Sequence, residues 1–212
     1  FGPMITIGES ETPSWTDMPA EKLDFYGERA MNALNPIVRA RYADIMWEKR
    51  KDHEFARSAV RDYMESAQIY SARSQPALAT DATTRAMEIA VRLNEKQLTA
   101  ETLSRSIQNA RAAASEGEYV TTLELVRLLL RMPKRLVADA LKDLATLARE
   151  GATYHRSVGG ESLWTEREFL FVLRDIARRF SDASALTQVT REIANSYEEH
   201  AGTREPLVAS SL

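Results

Sequence analysis

No cysteine occurs in the 212 residues, so disulfides, thiolate nucleophiles and cysteine-based metal sites are excluded within the chain. The histidines, His53, His155 and His200, are too far apart for the short helical spacing of a zinc motif. No apolar run approaches the roughly 20 residues that span a bilayer. The longest candidate, Leu123–Leu130, is short and interrupted by charge. There is no basic excess either: the net charge is −3 and the pI about 5.8, which argues against a dedicated non-specific nucleic-acid binder. No Gly-rich phosphate loop or nucleophile beside a base stands out. These absences lead to the expectation of a cytoplasmic chain with no cofactor, no metal and no membrane segment.

What is present is helical period. Over 35–67, Asn35 can cap a helix with Pro36 at its first position, where the missing N–H costs nothing. Ile37, Ala40, Ala43 and Trp47 follow at three- and four-residue spacing. The basic turn Lys49-Arg50-Lys51 fits a solvated helix C-terminus, and Asp52 caps a second helix. On that helix Ala56, Ala59, Tyr63, Ala67 and Tyr70 share one face. Small residues at the closest approach with aromatics above and below suit two tightly packed antiparallel helices, the logic of a tetratricopeptide hairpin. Ala43, Trp47, Ala56, Ala59, Tyr63 and Ala67 are therefore expected to be hairpin packing residues. Trp47, Tyr63 and Tyr70 have packing spacing rather than that of a ligand cage. Asp44 is expected to form a salt bridge within the hairpin, with Arg41, Lys51 and Arg61 as the nearby cations.

Composition and period divide the remaining chain. Residues 1–17 read as a flexible lead-in, with Phe1-Gly2-Pro3 appended before an initiator Met4. A helical-repeat region covers 18–115. It opens with a helix capped by Thr16 or Asp17, carrying Leu23, Tyr26, Ala30 and Leu34 on one face. After the hairpin come a helix over 80–94 with Asn94 at its C-terminus and one over 99–115 capped by Thr99. In 116–165, Thr121 and Glu124 form a capping box for the apolar segment beside them. Pro133 starts a helix from Lys134 to about Arg149, ended by Gly151. Residues 152–164 allow a β-hairpin around Gly159-Gly160, so 119–165 permits a winged helix. Its DNA contacts would be Lys134, Arg135, Lys142 and Arg156, diluted by Asp139, Asp143 and Glu150. Residues 166–212 read as a truncated helical pair, with Thr165 and Glu168 as its capping box. Tyr197–Ala201 echoes Tyr63–Ala67, as expected of degenerate repeats.

The segments Arg39-Ala40-Arg41-Tyr42-Ala43-Asp44-Ile45-Met46-Trp47, Ala56/Ala59/Tyr63/Ser66/Ala67 and Arg85–Ala90 resemble the N-terminal helical region of an uncharacterised bacterial family. Glu192–Ala201 is similar to a later helix. The likeness is closest over 36–95 and loose over 183–212. It implies a tetratricopeptide-like region preceding a C-terminal domain related to HEPN ribonucleases, which would lie beyond Leu212. It carries no catalytic residue onto this chain. Arg149 and His155 have the Arg-x(4–6)-His spacing of such enzymes, but Gly151 between them reads as a helix end.

The sequence thus predicts an all-α chain of antiparallel hairpins, a degenerate tetratricopeptide-like repeat with a small winged-helix-like β-hairpin near 152–164 as a variant. The expected function is an interaction or scaffold module that binds a protein partner or the remainder of its own chain. Nucleic-acid association, through a winged helix or as an accessory to RNA cleavage, is the less favoured reading, and an enzyme acting alone the least.

Overall fold

The computed structural model describes residue 27 and residues 29–202. Eight helices have both ends among them: α1 Pro36–Arg50, α2 His53–Ala72, α3 Pro76–Leu93, α4 Lys96–Ser115, α5 Val120–Arg131, α6 Lys134–Val158, α7 Ser162–Phe180 and α8 Ala183–Gly202. The class is all-α, with no strand among the described residues. The lead-in and the start of the first expected helix lie outside the described residues. Helix is present at 29–31, but Leu34 is 98% exposed in the turn after it and covers nothing.

The first hairpin forms as its caps dictate. Asn35 Oδ1 accepts from the Ile37 N–H at 3.2 Å, and Asp52 Oδ1 from the Glu54 N–H at 2.9 Å. Between them Lys51 turns left-handed (φ 56°) and its N–H returns to the Trp47 carbonyl at 2.7 Å. Asn94 closes α3 in the same conformation, φ 58°. Where the sequence suggests threonine caps, the helices start earlier. α4 begins at Lys96, leaving Thr99 inside to bond the Glu95 carbonyl. α5 begins at Val120 and α7 at Ser162, so neither the Thr121 nor the Thr165 capping box forms. One cap is worth only about 1 kcal/mol, less than burial of the apolar faces these helices carry.

Two large cores of different composition lie along the described residues, beside a small cluster of Ala30, Tyr42 and Met46. The first packs α1, α2 and α3 through Ala40, Ala43, Ala56, Ala59, Ala79 and Ala86, with Trp47, Tyr63 and Ile89 filling the gaps. Alanine at the contacts lets the helix axes approach closely. The second spans α3 to α8 and is built from Leu125, Leu129, Leu141, Leu144, Phe169, Leu170 and their neighbours. α3 joins them, with Ile89 in the first and Met87 in the second, and the second core runs unbroken past 116 and 165. α1 to α4 pack in series, as do α6 to α8, whereas α5 sits against α3, α6 and α7 more than against α4.

The β-hairpin near 152–164 does not form, which removes the wing from 119–165. α6 runs to Val158, and Gly159-Gly160, both at positive φ (69° and 58°), turn the chain directly into α7. Gly151 does not end the helix. It is buried mid-helix, and a Cβ there would stand 2.8 Å from the Phe169 ring. The glycine serves helix–helix approach, a role that local spacing does not reveal. At the other end of α6, Pro133 breaks from α5. Arg179 of α7 donates to the carbonyls of Leu130 (2.7 Å) and Met132, satisfying acceptors the break leaves free.

Candidate functional site

Asp44, expected to pair within its hairpin, is instead neutralised from α3. Arg85 grips it with two bonds, Nε to Oδ2 at 2.7 Å and Nη2 to Oδ1 at 2.8 Å, and the Tyr63 hydroxyl donates at 3.2 Å. Burial, with Asp44 second, pushes the Tyr63 hydroxyl well above the usual phenol range. One turn on, Glu48 pairs with Arg92, whose guanidinium lies 4.1 Å from the Trp47 ring centre. The Arg92 hydrogen bond holds the Glu48 carboxyl down at about 2, against the smaller opposing effect of burial. Within the hairpin the ion pair is Arg39 with Asp62, at 3.2 Å, and with Glu65, at 2.7 Å. These bonds fasten α1 to α2 and α3. Ala43, Trp47, Ala56, Ala59, Tyr63 and Ala67 all lie in the core beneath them.

The four basic residues considered for nucleic acid do not all converge. Lys134 and Lys142 both stand over the Phe180 ring, at 4.7 and 5.9 Å, and Arg135 is exposed nearby on α6. Arg156 sits about 33 Å of helix rise from Lys134 and is paired with Glu199. Lys142 lies 3.8 Å from Asp139, and Asp143 pairs with Arg111, so the face carries both signs.

The chemically richest region is formed by α6, α7 and α8. These run up, down and up, so α6 and α8 are parallel and flank α7. Arg149 pairs with Glu192, and Arg156 with Glu199. The step is seven residues on both helices, a two-rung ladder above α7. At the Arg149 end of the ladder, α6, α7 and α8 line an open groove of about 770 Å³. Its apolar surface comes from Ala145, Leu173, Ile176, Ala177, Phe180 and Val189, and Lys142, Arg149, Glu150 and Asp182 rim it. Asp182 is occupied in capping α8 through the Ala185 N–H at 2.9 Å.

At the opposite end of this layer two charged side chains are buried side by side. Glu166, 2% exposed, accepts from the Ser196 hydroxyl at 3.0 Å and has Arg156 at 3.9 Å. Arg167, also 2% exposed, donates from Nε to the Leu163 carbonyl at 3.2 Å. Its guanidinium is held between the rings of Trp164 (4.3 Å) and Tyr197 (4.5 Å). Nη2 is buried without a hydrogen-bond partner, and no carboxylate pairs with Arg167 among the described residues. Tyr197, the echo of buried Tyr63, is 49% exposed, and Ser196 takes the inward position instead. Sequence reasoning missed Glu166 and Arg167, because helical charges read as solvated until the third helix is placed over them.

His155 lies on the same helix as Arg149, since α6 passes through Gly151. The two are spent separately. Arg149 holds Glu192. The His155 ring stacks on Phe169, with Nδ1 2.9 Å from Ser162 Oγ, and Nε2 is buried without a partner. Burial lowers the imidazole below its ordinary value, so it is neutral at pH 7. Among the described residues no group of His, Asp and Glu could hold a metal ion, and no helix is long and apolar enough to cross a membrane. The side chain of His200 lies outside them.

Residues 1–102 match the model of a family described as a domain of unknown function, DUF7380. The match takes in α1 to α3 and the start of α4. The groove, the ladder and the Glu166–Arg167 pair all fall beyond it. No curated protein matches the chain.

Proposed function

We propose that the chain is a tetratricopeptide-like helical-repeat interaction module of the cytoplasm, in which α1 to α4 form a rigid stack and the groove over α7 receives a protein segment. The observation that supports this most is the groove itself. Two parallel helices flank an apolar floor, and the charges at its rim are of both signs. Helices stacked in series expose extended surfaces of this kind, and affinity at them comes from groove-lining side chains rather than a reacting group. The conspicuous charged residues elsewhere are used in packing: Asp44, Glu48, Arg85 and Arg92 bind helix to helix.

The test is panning of a displayed random-peptide library against the chain, with Thr146→Arg as the blocking variant. Thr146 lines the groove and is exposed, so the substitution fills the opening without entering the core. Recovered peptides should bind the parent chain and lose affinity for the variant. Peptides indifferent to Thr146→Arg, or none recovered alongside salt-sensitive binding to duplex DNA or RNA, would overturn the reading in favour of nucleic acid.

A further inference from the structure

The groove over α7 has a length and a polarity. Its α6 wall runs from Lys142 to Glu150, about 12 Å of rise or a little over two helical turns. The Arg149–Glu192 rung bounds one end. At the other end two ammonium groups stand over the Phe180 ring, Lys134 at 4.7 Å and Lys142 at 5.9 Å. The carboxylates near that end answer them weakly or are engaged elsewhere. Asp139, 3.8 Å from Lys142, is fully solvated, Asp143 is held by Arg111, and Asp182 accepts from the Ala185 N–H. At the rung end the sign reverses. Glu150 is exposed and pairs with no cation among the described residues, while Arg149 is spent on Glu192.

Between the two ends the floor is apolar side chains, Ala145, Leu173, Ile176, Ala177 and Val189, on helices that keep their own backbone groups bonded. An extended segment laid there would leave its N–H and C=O groups against hydrocarbon. A helix bonds its own backbone and offers such a floor apolar side chains at i, i+3 and i+7. Resting on the reading of this groove as a protein-segment site, we propose that its occupant is an amphipathic α-helix of a partner protein. That helix carries an acidic residue at its N-terminal end and a basic residue about seven or eight positions later, the spacing that matches about 12 Å of rise. The acid meets Lys134 and Lys142 beside Phe180, and the base meets Glu150. Acid first is also the order that the occupant's own macrodipole favours. The occupant therefore runs parallel to α6 and α8 and antiparallel to α7 beneath it, which continues the alternation of the layer.

The experiment pans displayed libraries built on a helical scaffold of about 15 residues, the length at which an isolated helix holds. In each, one face is randomised among apolar residues. The first library carries Glu before that face and Lys after it, the second the reverse, and the third Gln at both places. The bait is the full chain, and Thr146→Arg identifies the binders seated in the groove. The first library should yield them. Each should bind the parent about fivefold or more tightly than its charge-reversed twin in fluorescence anisotropy, the order expected of two exposed ion pairs. The preference should invert in Lys134→Glu/Lys142→Glu/Glu150→Lys, whose three positions are exposed; if that variant does not fold, the parent's choice between twins decides alone. A smaller difference between twins, or a preference that does not invert, overturns the proposal and leaves the groove reading standing. So does recovery of Thr146-sensitive peptides from an unconstrained library alone. No Thr146-sensitive peptide from any library overturns both. Self-association of the parent that Thr146→Arg abolishes assigns the groove to a second copy and also overturns the proposal.

Discussion

Gly151 and Phe169 meet so closely that a Cβ at position 151 would lie 2.8 Å from two ring carbons. Phe169 is fully buried in the second core, so its ring cannot swing aside. Gly151→Ala would gain roughly 1 kcal/mol of helix propensity, but overpacking costs about 1–3 kcal/mol. The net expectation is a lower melting temperature, by up to roughly 8 °C for a chain of this size. A stabilised variant in thermal denaturation would mean that α6 and α7 separate readily here, against so close a contact.

The Asp44–Arg85 pair should couple α1 to α3 energetically. Arg85→Ala leaves a carboxylate that is 7% exposed with only the Tyr63 hydroxyl. Breaking a buried pair costs about 3–5 kcal/mol. Arg85 is about a third exposed, so a loss of about 2–3 kcal/mol is expected. Asp44→Asn with Arg85→Ala should recover part of it, because no charge is then stranded. Urea denaturation of the two single variants and the double variant measures the coupling. Strict additivity would show that the two residues act independently.

Much of the N-terminal half is legible in the sequence because its signals are local. Asn35-Pro36, Asp52 and Asn94 announce helix ends through their own backbone bonds, and the alanine stripe of the hairpin announces its contact face. The errors have a common physical origin. Gly159-Gly160 reads as a strand turn because its flanks, Thr153, Tyr154 and Val158, have β-propensity. Burial of Gly151 and Ala152 against α7 overrides that preference. The partners of Asp44 and the burial of Glu166 and Arg167 depend on a helix 30 to 41 positions away, for example Ser196 for Glu166 and Arg85 for Asp44. No local spacing encodes such meetings.

Acid should weaken the attachment of α1 to α3 in a defined window. The Glu48 carboxyl is lowered from 4.5 to about 2 in the folded chain by Arg92. A depressed folded value means that the pair's stabilisation is present in full above the unfolded value. It is lost as pH falls from about 4.5 toward 2. Both side chains are more than a third exposed, so the amount is at most about 1 kcal/mol after screening. Glu48→Gln should therefore flatten the acid limb of the stability–pH curve between those values and leave the slope near neutrality unchanged. Parallel curves for Glu48→Gln and the parent would show that the pair is too solvated to contribute.

Ala59 tests the claim that the first core depends on close helix approach. Its side chain is fully buried in the core that also holds Ala40, Ala43 and Ala56. An indole cannot be housed there without separating α1 from α2, and overpacking costs about 1–3 kcal/mol or more. Ala59→Trp is expected to lower the melting temperature. It should also speed amide hydrogen exchange in α1 and α2 ahead of α6 and α7, because the second core is not touched. Uniform acceleration across all helices would mean that the two cores unfold as one unit. An unchanged melting temperature would remove Ala59 from the contact.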